Sequence, residues 1–128
     1  MNNLQIIPTS KSFLIDFHTN GVFRIEGISQ MESPKEFYDP IYIWLSDYYE
    51  LVKTYKIISQ LTIICKIEYI DSSSEKCVFN MLKLIEKFKT LIPVKLDWYC
   101  EEDDEKIIGL GNELKHLLKI PIDILYIE

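Results

Sequence analysis

Two short stretches alternate apolar and polar residues with the strand period. Residues 12–17 place Phe13, Ile15 and Phe17 on one face, and residues 22–26 do the same with Phe23 and Ile25. Thr19-Asn20-Gly21 lies between them. Asn-Gly between alternating runs predicts an antiparallel hairpin closed by a type I′ turn, because both residues tolerate positive φ. Ser33-Pro34 then predicts a helix start, with Ser33 as N-cap and Pro34 at the first helical position. From Phe37 through Ile41, Trp44, Leu45, Tyr48, Leu51 and Val52 to Tyr55, apolar residues recur every three or four positions, giving one helix over 34–54. Pro40 falls within its first two turns, where it would kink or delay the start.

Residues 61–70, Leu-Thr-Ile-Ile-Cys-Lys-Ile-Glu-Tyr-Ile, are rich in β-formers and read as a central strand. Val78, Met81, Leu82, Ile85 and Phe88 mark a second amphipathic helix over 73–89. After Pro93, Val94, Leu96 and Trp98 alternate with Lys95 and Asp97 as another strand. Ile107, Leu110, Gly111, Leu114 and Leu118 form a third helical pattern, and the apolar tail from Ile120 to Glu128 can dock as a final strand or extended segment. The order β-β-α-β-α-β-α predicts an α/β fold, with helices covering a mixed sheet of four or five strands. The strand–helix–strand unit at 61–98 should be a right-handed crossover between parallel strands. With no linker, repeat or low-complexity segment, residues 1–128 read as a single compact domain.

Charge narrows the partners. Twenty acidic against fourteen basic residues give a net charge of −6. The only arginine is Arg24 and the lysines are scattered, which leaves no cluster to displace counterions from nucleic acid. No apolar run approaches the ~18 residues of a membrane span. The N-terminal residues lack the basic start and apolar run of a signal peptide, so a cytoplasmic location is expected. Cys65, Cys77 and Cys100 are odd in number and widely spaced, which suggests neither a disulfide framework nor a zinc site. The absence of alanine and the abundance of Ile and Lys point to an AT-rich coding sequence, so single Ile or Lys residues say little about function.

The sharpest candidate for chemistry is Asp71-Ser72-Ser73-Ser74-Glu75, where the central strand gives way to a helix. One reading is structural: Ser72 as N-cap and Glu75 three residues on form a capping box. The other is functional. A hydroxyl at a helix N-terminus is exposed, and a phosphate there would meet free N–H groups and the positive dipole end. It would also meet repulsion from Asp71 and Glu75, with Lys76 the nearest cation in sequence. The acidic run Glu101-Glu102-Asp103-Asp104-Glu105 lacks the spacing and central glycine of a calcium loop. It reads better as a helix start, capped by Asp103, than as a metal site. His18 and His116 share no local motif with a nucleophile or carboxylate, and the four glycines form no phosphate loop. Gly109-Leu110-Gly111 either permits close packing or breaks the third helix. Tyr42, Tyr48, Tyr49 and Tyr55 enlarge the first helix's buried faces, with an exposed subset available to a partner.

Three segments together resemble the SiaC-type regulatory phosphoproteins, small bacterial proteins with a fold like the STAS domain. These are Gly27-Ile28-Ser29 followed by Pro34-Lys35-Glu36-Phe37-Tyr38, then Tyr69-Ile70-Asp71-Ser72-Ser73-Ser74, then Trp98-Tyr99-Cys100 with the acidic run and Gly111. The similarity runs in order over residues 6–122. It implies a STAS-like, non-enzymatic switch without metal or cofactor. Ser72 stands at the position of the family's phosphorylated threonine, and Asp71 stands where the family has asparagine. The resemblance further implies a cognate kinase, a phosphatase, and an output enzyme such as a diguanylate cyclase, bound and activated by the unphosphorylated form to raise cyclic di-GMP. On this reading residues 71–75 are the switch and partner-binding surface. A small-ligand-binding domain or enzyme on the same scaffold is the alternative.

Overall fold

A computed structural model describes residues 1–127. Six strands form one mixed sheet in sequential order: β1 (Leu4–Ile6), β2 (Leu14–Phe17), β3 (Val22–Ser29), β4 (Leu61–Ile70), β5 (Val94–Glu101) and β6 (Ile122–Ile127). The β1–β2 and β2–β3 pairs are antiparallel, and β3 through β6 run parallel. Helices α1 (Lys35–Tyr55), α2 (Ser72–Glu86) and α3 (Glu105–Leu117) connect the parallel strands, as such pairs require. The α/β class and the parallel unit at 61–98 match the sequence pattern. The sheet is larger than expected because β1 was too short to read and the tail is a full strand. Glu128, included in that tail, lies outside the described residues.

The strand alternation explains the single core. Phe13, Ile15, Phe17, Phe23, Ile25, Ile63, Cys65, Leu96, Trp98 and Cys100 face the helices and are buried. Their neighbours Asp16, Arg24, Glu26, Ile64, Lys66, Asp97 and Tyr99 lie half-exposed on the opposite face. From α1, Tyr38, Ile41, Leu45, Tyr48 and Val52 enter the same core, joined by Val78, Met81, Leu82 and Ile85 of α2 and by Ile107 and Leu114 of α3. Each such apolar side chain contributes roughly 1.5–3 kcal/mol on burial. The hairpin meets α1 through an aromatic cluster, in which Phe17 and Phe23 stack at 4.3 Å and Trp44 and Tyr48 pack over them. The helix tyrosines divide as expected: Tyr48 is buried and Tyr55 is exposed.

Local details correct three expectations. The hairpin turn is not type I′. The His18 carbonyl accepts from Gly21 N–H at 3.1 Å, and His18 N–H donates to the Val22 carbonyl at 3.0 Å. Gly21 has φ +95° while Asn20 is not left-handed, the geometry of a three-residue loop ending in a left-handed glycine. Helix α1 runs through Pro40 without a delayed start, and no side chain caps its Pro34 end. Helix α2 begins at Ser72 and ends at Glu86, where a tighter 3-10 turn, Lys87–Thr90, carries the pattern onward.

The two glycines of α3 have opposite roles. A Cβ at Gly111 would lie 2.6 Å from Trp98 Cδ1, whereas at Gly109 it would meet nothing within 4 Å. Trp98 is itself fixed by its Nε1–H donating to the Ile107 carbonyl at 2.9 Å. Gly111→Ala should therefore cost about 1–3 kcal/mol through overpacking. Gly109→Ala should stabilise by about 0.5–1 kcal/mol by favouring the helix. Urea denaturation of both variants checks the pair, and equal effects would contradict the assigned packing.

Candidate functional site

The segment 71–75 sits where a bulge re-aims the end of β4. Opposite β3 the register steps from Gly27↔Ile67 to Ile28↔Tyr69, leaving Glu68 as the extra residue on β4. The alternation shifts by one in consequence: Tyr69 faces solvent, and Ile70 turns into the core. Such bulges redirect a strand end and raise local twist. Here the redirection carries Asp71 against the end of β3, where Asp71 N–H donates to the Ser29 carbonyl at 3.0 Å.

The N-cap of α2 is Asp71 rather than Ser72, so the expected Ser72–Glu75 capping box is not formed. Asp71 has extended backbone, and its Oδ1 accepts from Ser74 N–H at 2.9 Å. Ser73 Oγ donates to the same oxygen at 3.1 Å, and Oδ2 accepts from Met31 N–H at 3.2 Å. A carboxylate one residue before the first helical hydroxyl wins the cap because its two oxygens serve three donors at once. Partial desolvation is the largest single influence on the Asp71 carboxyl and raises its pKa. The hydrogen bonds from Ser74, Ser73 and Met31 together outweigh it and hold the pKa below the ordinary value of 3.8.

Behind the cap runs a chain of buried hydroxyls. Ser29 Oγ donates to Ser74 Oγ at 2.8 Å and lies 2.8 Å from Tyr38 Oη. A serine hydroxyl has one proton, so Tyr38 must donate to Ser29. Both serines are fully buried. Desolvation pushes the Tyr38 phenol up to about 12, so it remains a donor at every physiological pH. One string of hydrogen bonds thus ties α1, the end of β3 and the start of α2. In the sequence Ser29 and Tyr38 stand out only within the segments that resemble the family. The signal available was a serine in register with Phe23 and Ile25 on the core-facing side of β3.

The three serines therefore differ. Ser74 is buried structure, Ser73 is exposed but bonded to the cap, and Ser72 is exposed at the first helical position and takes no part in the hydrogen-bonded cluster. Glu75 is half-buried, and its N–H donates to the Asp71 carbonyl at 2.9 Å. The fold also supplies a cation that the sequence order hides. Lys106, in the first turn of α3, donates from Nζ to the Ile70 carbonyl at 2.8 Å and sits 5.0 Å from the centre of the Tyr69 ring. Beyond Ser72, α2 and α3 separate into a cleft of about 260 Å³, and Ser72 forms part of its lip.

The other candidates resolve locally. Asp104, not Asp103, caps α3, its Oδ1 accepting from Ile107 N–H at 3.1 Å. The acidic run is split between the end of β5, a turn and the first residue of α3. Among the described residues no group of three His, Cys, Asp or Glu side chains converges as a metal site. Contrary to the expectation of no local carboxylate partner, His18 meets Asp16, two residues before it, with Nε2 3.0 Å from Oδ1. His116 lies exposed in the last turn of α3, and the three cysteines are free. A larger cavity of about 640 Å³ is lined by Glu26, Lys66, Glu101 and Asp104, among others, and shares no residue with the cleft. Among the described residues no helix is long and apolar enough to cross a membrane.

Three helices on a mixed six-stranded sheet, with a serine cluster at the central strand–helix junction, define a small α/β domain among the described residues. The chain matches the SiaC family regulatory phosphoprotein model over residues 6–127 and belongs to that family. Its fold is that of SiaC from Pseudomonas aeruginosa. The apo form of that protein superposes with a TM-score of 0.83 at 22% identity, covering 98% of this chain and 99% of that one. A second SiaC structure gives 0.85 at 21% identity, covering 99% and 100%. The SiaC matched in a crystal structure of the diguanylate cyclase SiaD in complex with its activator SiaC gives 0.84 at 21% identity, covering 97% and 99%. No curated protein matches the chain.

The reassigned cap has a direct consequence. Asp71→Ala should cost about 0.5–2 kcal/mol, whereas Ser72→Ala should stay within about 0.5 kcal/mol of the parent. Because the folded Asp71 pKa is depressed, its contribution is present above the ordinary value of 3.8 and is lost as pH falls through the lower folded value. Denaturation midpoints of parent and Asp71→Ala should converge on acidification in that window. A Ser72→Ala protein as unstable as Asp71→Ala would return the cap to Ser72.

The hydroxyl chain is tested separately. Ser29→Ala strands the Tyr38 hydroxyl in the core and should cost about 1–3 kcal/mol. Tyr38→Phe removes only the terminal donor and should cost less. Equal losses, measured by thermal and chemical unfolding, would contradict the assigned order of donors.

Proposed function

We propose that this chain is a protein-binding switch controlled by reversible phosphorylation of Ser72. The observation that carries the reading is the division of labour among the hydroxyls. Ser72 is exposed and unused by the fold, while Asp71, Ser73 and Ser74 hold the helix start. A kinase can take the Ser72 hydroxyl without breaking a structural hydrogen bond. The product would be a phosphate of about −1.5 to −2 charges at pH 7, placed at the N-terminus of α2 and the lip of the cleft. In this reading a cognate kinase and phosphatase set the state of Ser72. The unphosphorylated form binds and activates an output enzyme, a diguanylate cyclase, in cyclic di-GMP signalling. The chain contributes no catalysis, cofactor or metal of its own. Membership in a family of regulatory phosphoproteins supports the switch, and the cyclase complex of the structurally similar SiaC supports the class of partner.

The sign of the switch follows from the surroundings. Asp71 and Glu75 flank Ser72, and the chain carries −6 overall. A partner complementary to a small neutral hydroxyl must desolvate a dianion beside two carboxylates once Ser72 is modified, and is rejected. Ser72→Ala should keep partner binding, while Ser72→Asp or phosphorylated protein should lose at least ~1.4 kcal/mol, a tenfold change. Titration of the three forms against the diguanylate cyclase of the same cell checks this. Tighter binding by the phosphorylated form would reverse the sign, and equal binding by all three would remove Ser72 as the switch.

A further inference from the structure

The fold brings Lys106 to the Ser72 corner from another element. Its Nζ donates at 2.8 Å to the carbonyl of Ile70, two residues before Ser72, and lies 5.0 Å from the centre of the Tyr69 ring. Covalent lengths alone keep the Ser72 Cα within about 10 Å of that ammonium. The direction agrees. Leu110, Glu113 and Leu117 of α3 line the cleft to which Ser72 also belongs. Lys106 lies one turn before Leu110, on the same stripe of that helix.

What holds Lys106 in place is weak. Among the described residues its contacts are a neutral carbonyl and the face of an exposed ring, and no carboxylate lies within ion-pair distance. A phosphate offers three strong acceptor oxygens and nearly two charges. Charge-assisted bonds are roughly twice as strong as those between neutral groups. The lysine stem is exposed and flexible enough to turn from Ile70 toward Ser72. Lys76, four residues on in α2, is the rival cation. Both lysines are exposed, but two contacts already hold Lys106 at the corner, so it loses less side-chain entropy on pairing.

We infer that Lys106 is the counter-ion of the switch: once Ser72 carries a phosphate, the Lys106 ammonium leaves the Ile70 carbonyl and the Tyr69 ring and pairs with it. This rests on the reading of Ser72 as the modified residue. The pairing moves an existing charge and adds none, so the sign of the switch is unchanged. It adds a second difference between the two forms, because the Tyr69 ring, 43% exposed, loses its cation.

The test uses the full chain with phosphoserine installed at position 72 during translation, so that no kinase is needed. Phosphorus NMR against pH follows the second ionisation of the phosphate, near pH 6 when unperturbed. Asp71 and Glu75 beside Ser72, with Asp104, Glu105 and Glu113 on α3, raise that midpoint; the amides of the helix start, Lys76 and Lys106 lower it. Only the lysine changes between variants, so each substitution isolates one ammonium. Lys106→Met should raise the proton affinity of the phosphate at least about twofold over the parent. Lys76→Met should raise it less, and Lys106→Arg should keep the parent value. The Tyr69 ring resonances should shift on phosphorylation in the parent and stay in place in Lys106→Met. A midpoint unmoved by Lys106→Met, a larger effect of Lys76→Met, or a Tyr69 ring indifferent to the phosphate would overturn the pairing. The two readings fail separately. If the installed phosphate pairs with Lys106 while Ser72→Asp leaves cyclase binding unchanged, the pairing stands and the switch falls. If Ser72→Asp weakens cyclase binding while Lys106→Met leaves the phosphate unmoved, the switch stands and the pairing falls.

Discussion

The contact between Ser29 and Ser74 fixes the geometry on which the rest of the site depends. Two polar hydroxyls at the core's edge are tolerated only because each has a partner, and the partners come from three different elements. An unsatisfied hydroxyl there would cost a few kcal/mol, a large fraction of a small domain's stability. The ends of β3 and β4, the first turn of α1 and the start of α2 must therefore keep one mutual arrangement. Asp71 then closes the assembly from the solvent side by bonding Met31, Ser73 and Ser74.

This explains why the site's letters were legible before its wiring. Alternation at 12–17 and 22–26, and helical spacing from Phe37 to Tyr55 and from Val78 to Phe88, follow from one buried face and need no knowledge of neighbours. The parallel pairing of β4 and β5 follows from the intervening helix. The bulge at Glu68 could not be read, because an extra residue on one strand is defined only by its partner in β3. A strict period-two reading of residues 61–70 would bury Tyr69, and the fold buries Ile70 instead. The cap moved from Ser72 to Asp71 for a related reason. Serine and aspartate are both good N-caps in isolation, and one of the three donors that favour Asp71, Met31 N–H, lies forty positions away in sequence. β1 is not legible in the sequence because three residues carry almost no periodicity. It is held by pairing with β2 and by the hydrogen bond from Trp44 Nε1 to the Asn2 carbonyl.

Lys106 shows the same limit from the side of charge. By sequence the region around Ser72 holds two acids and Lys76. In three dimensions α3 adds an ammonium group held at the end of β4, stacked over the exposed Tyr69 ring. The N-terminus of α2 is thus neither simply acidic nor simply basic. It is a boundary where the carboxylates of Asp71 and Glu75 meet the ammonium groups of Lys76 and Lys106 beside one neutral hydroxyl.

That balance also decides what kind of switch this fold can be. A conformational switch needs an element with two packings close in energy, biased by the modification. The start of α2 is not such an element. Its cap, its buried serine and the strand ends behind it are mutually satisfied, and none of those bonds involves Ser72 Oγ. A phosphate at Ser72, as proposed, would break none of these contacts. Its effect lies in the potential and the hydration of the surface it occupies, and it reaches only as far as a Debye length, about 8 Å at physiological salt. In the proposed switch, a partner that responds to such a charge would have to cover that spot, which would put regulation and binding on one surface backed by the hydroxyl chain.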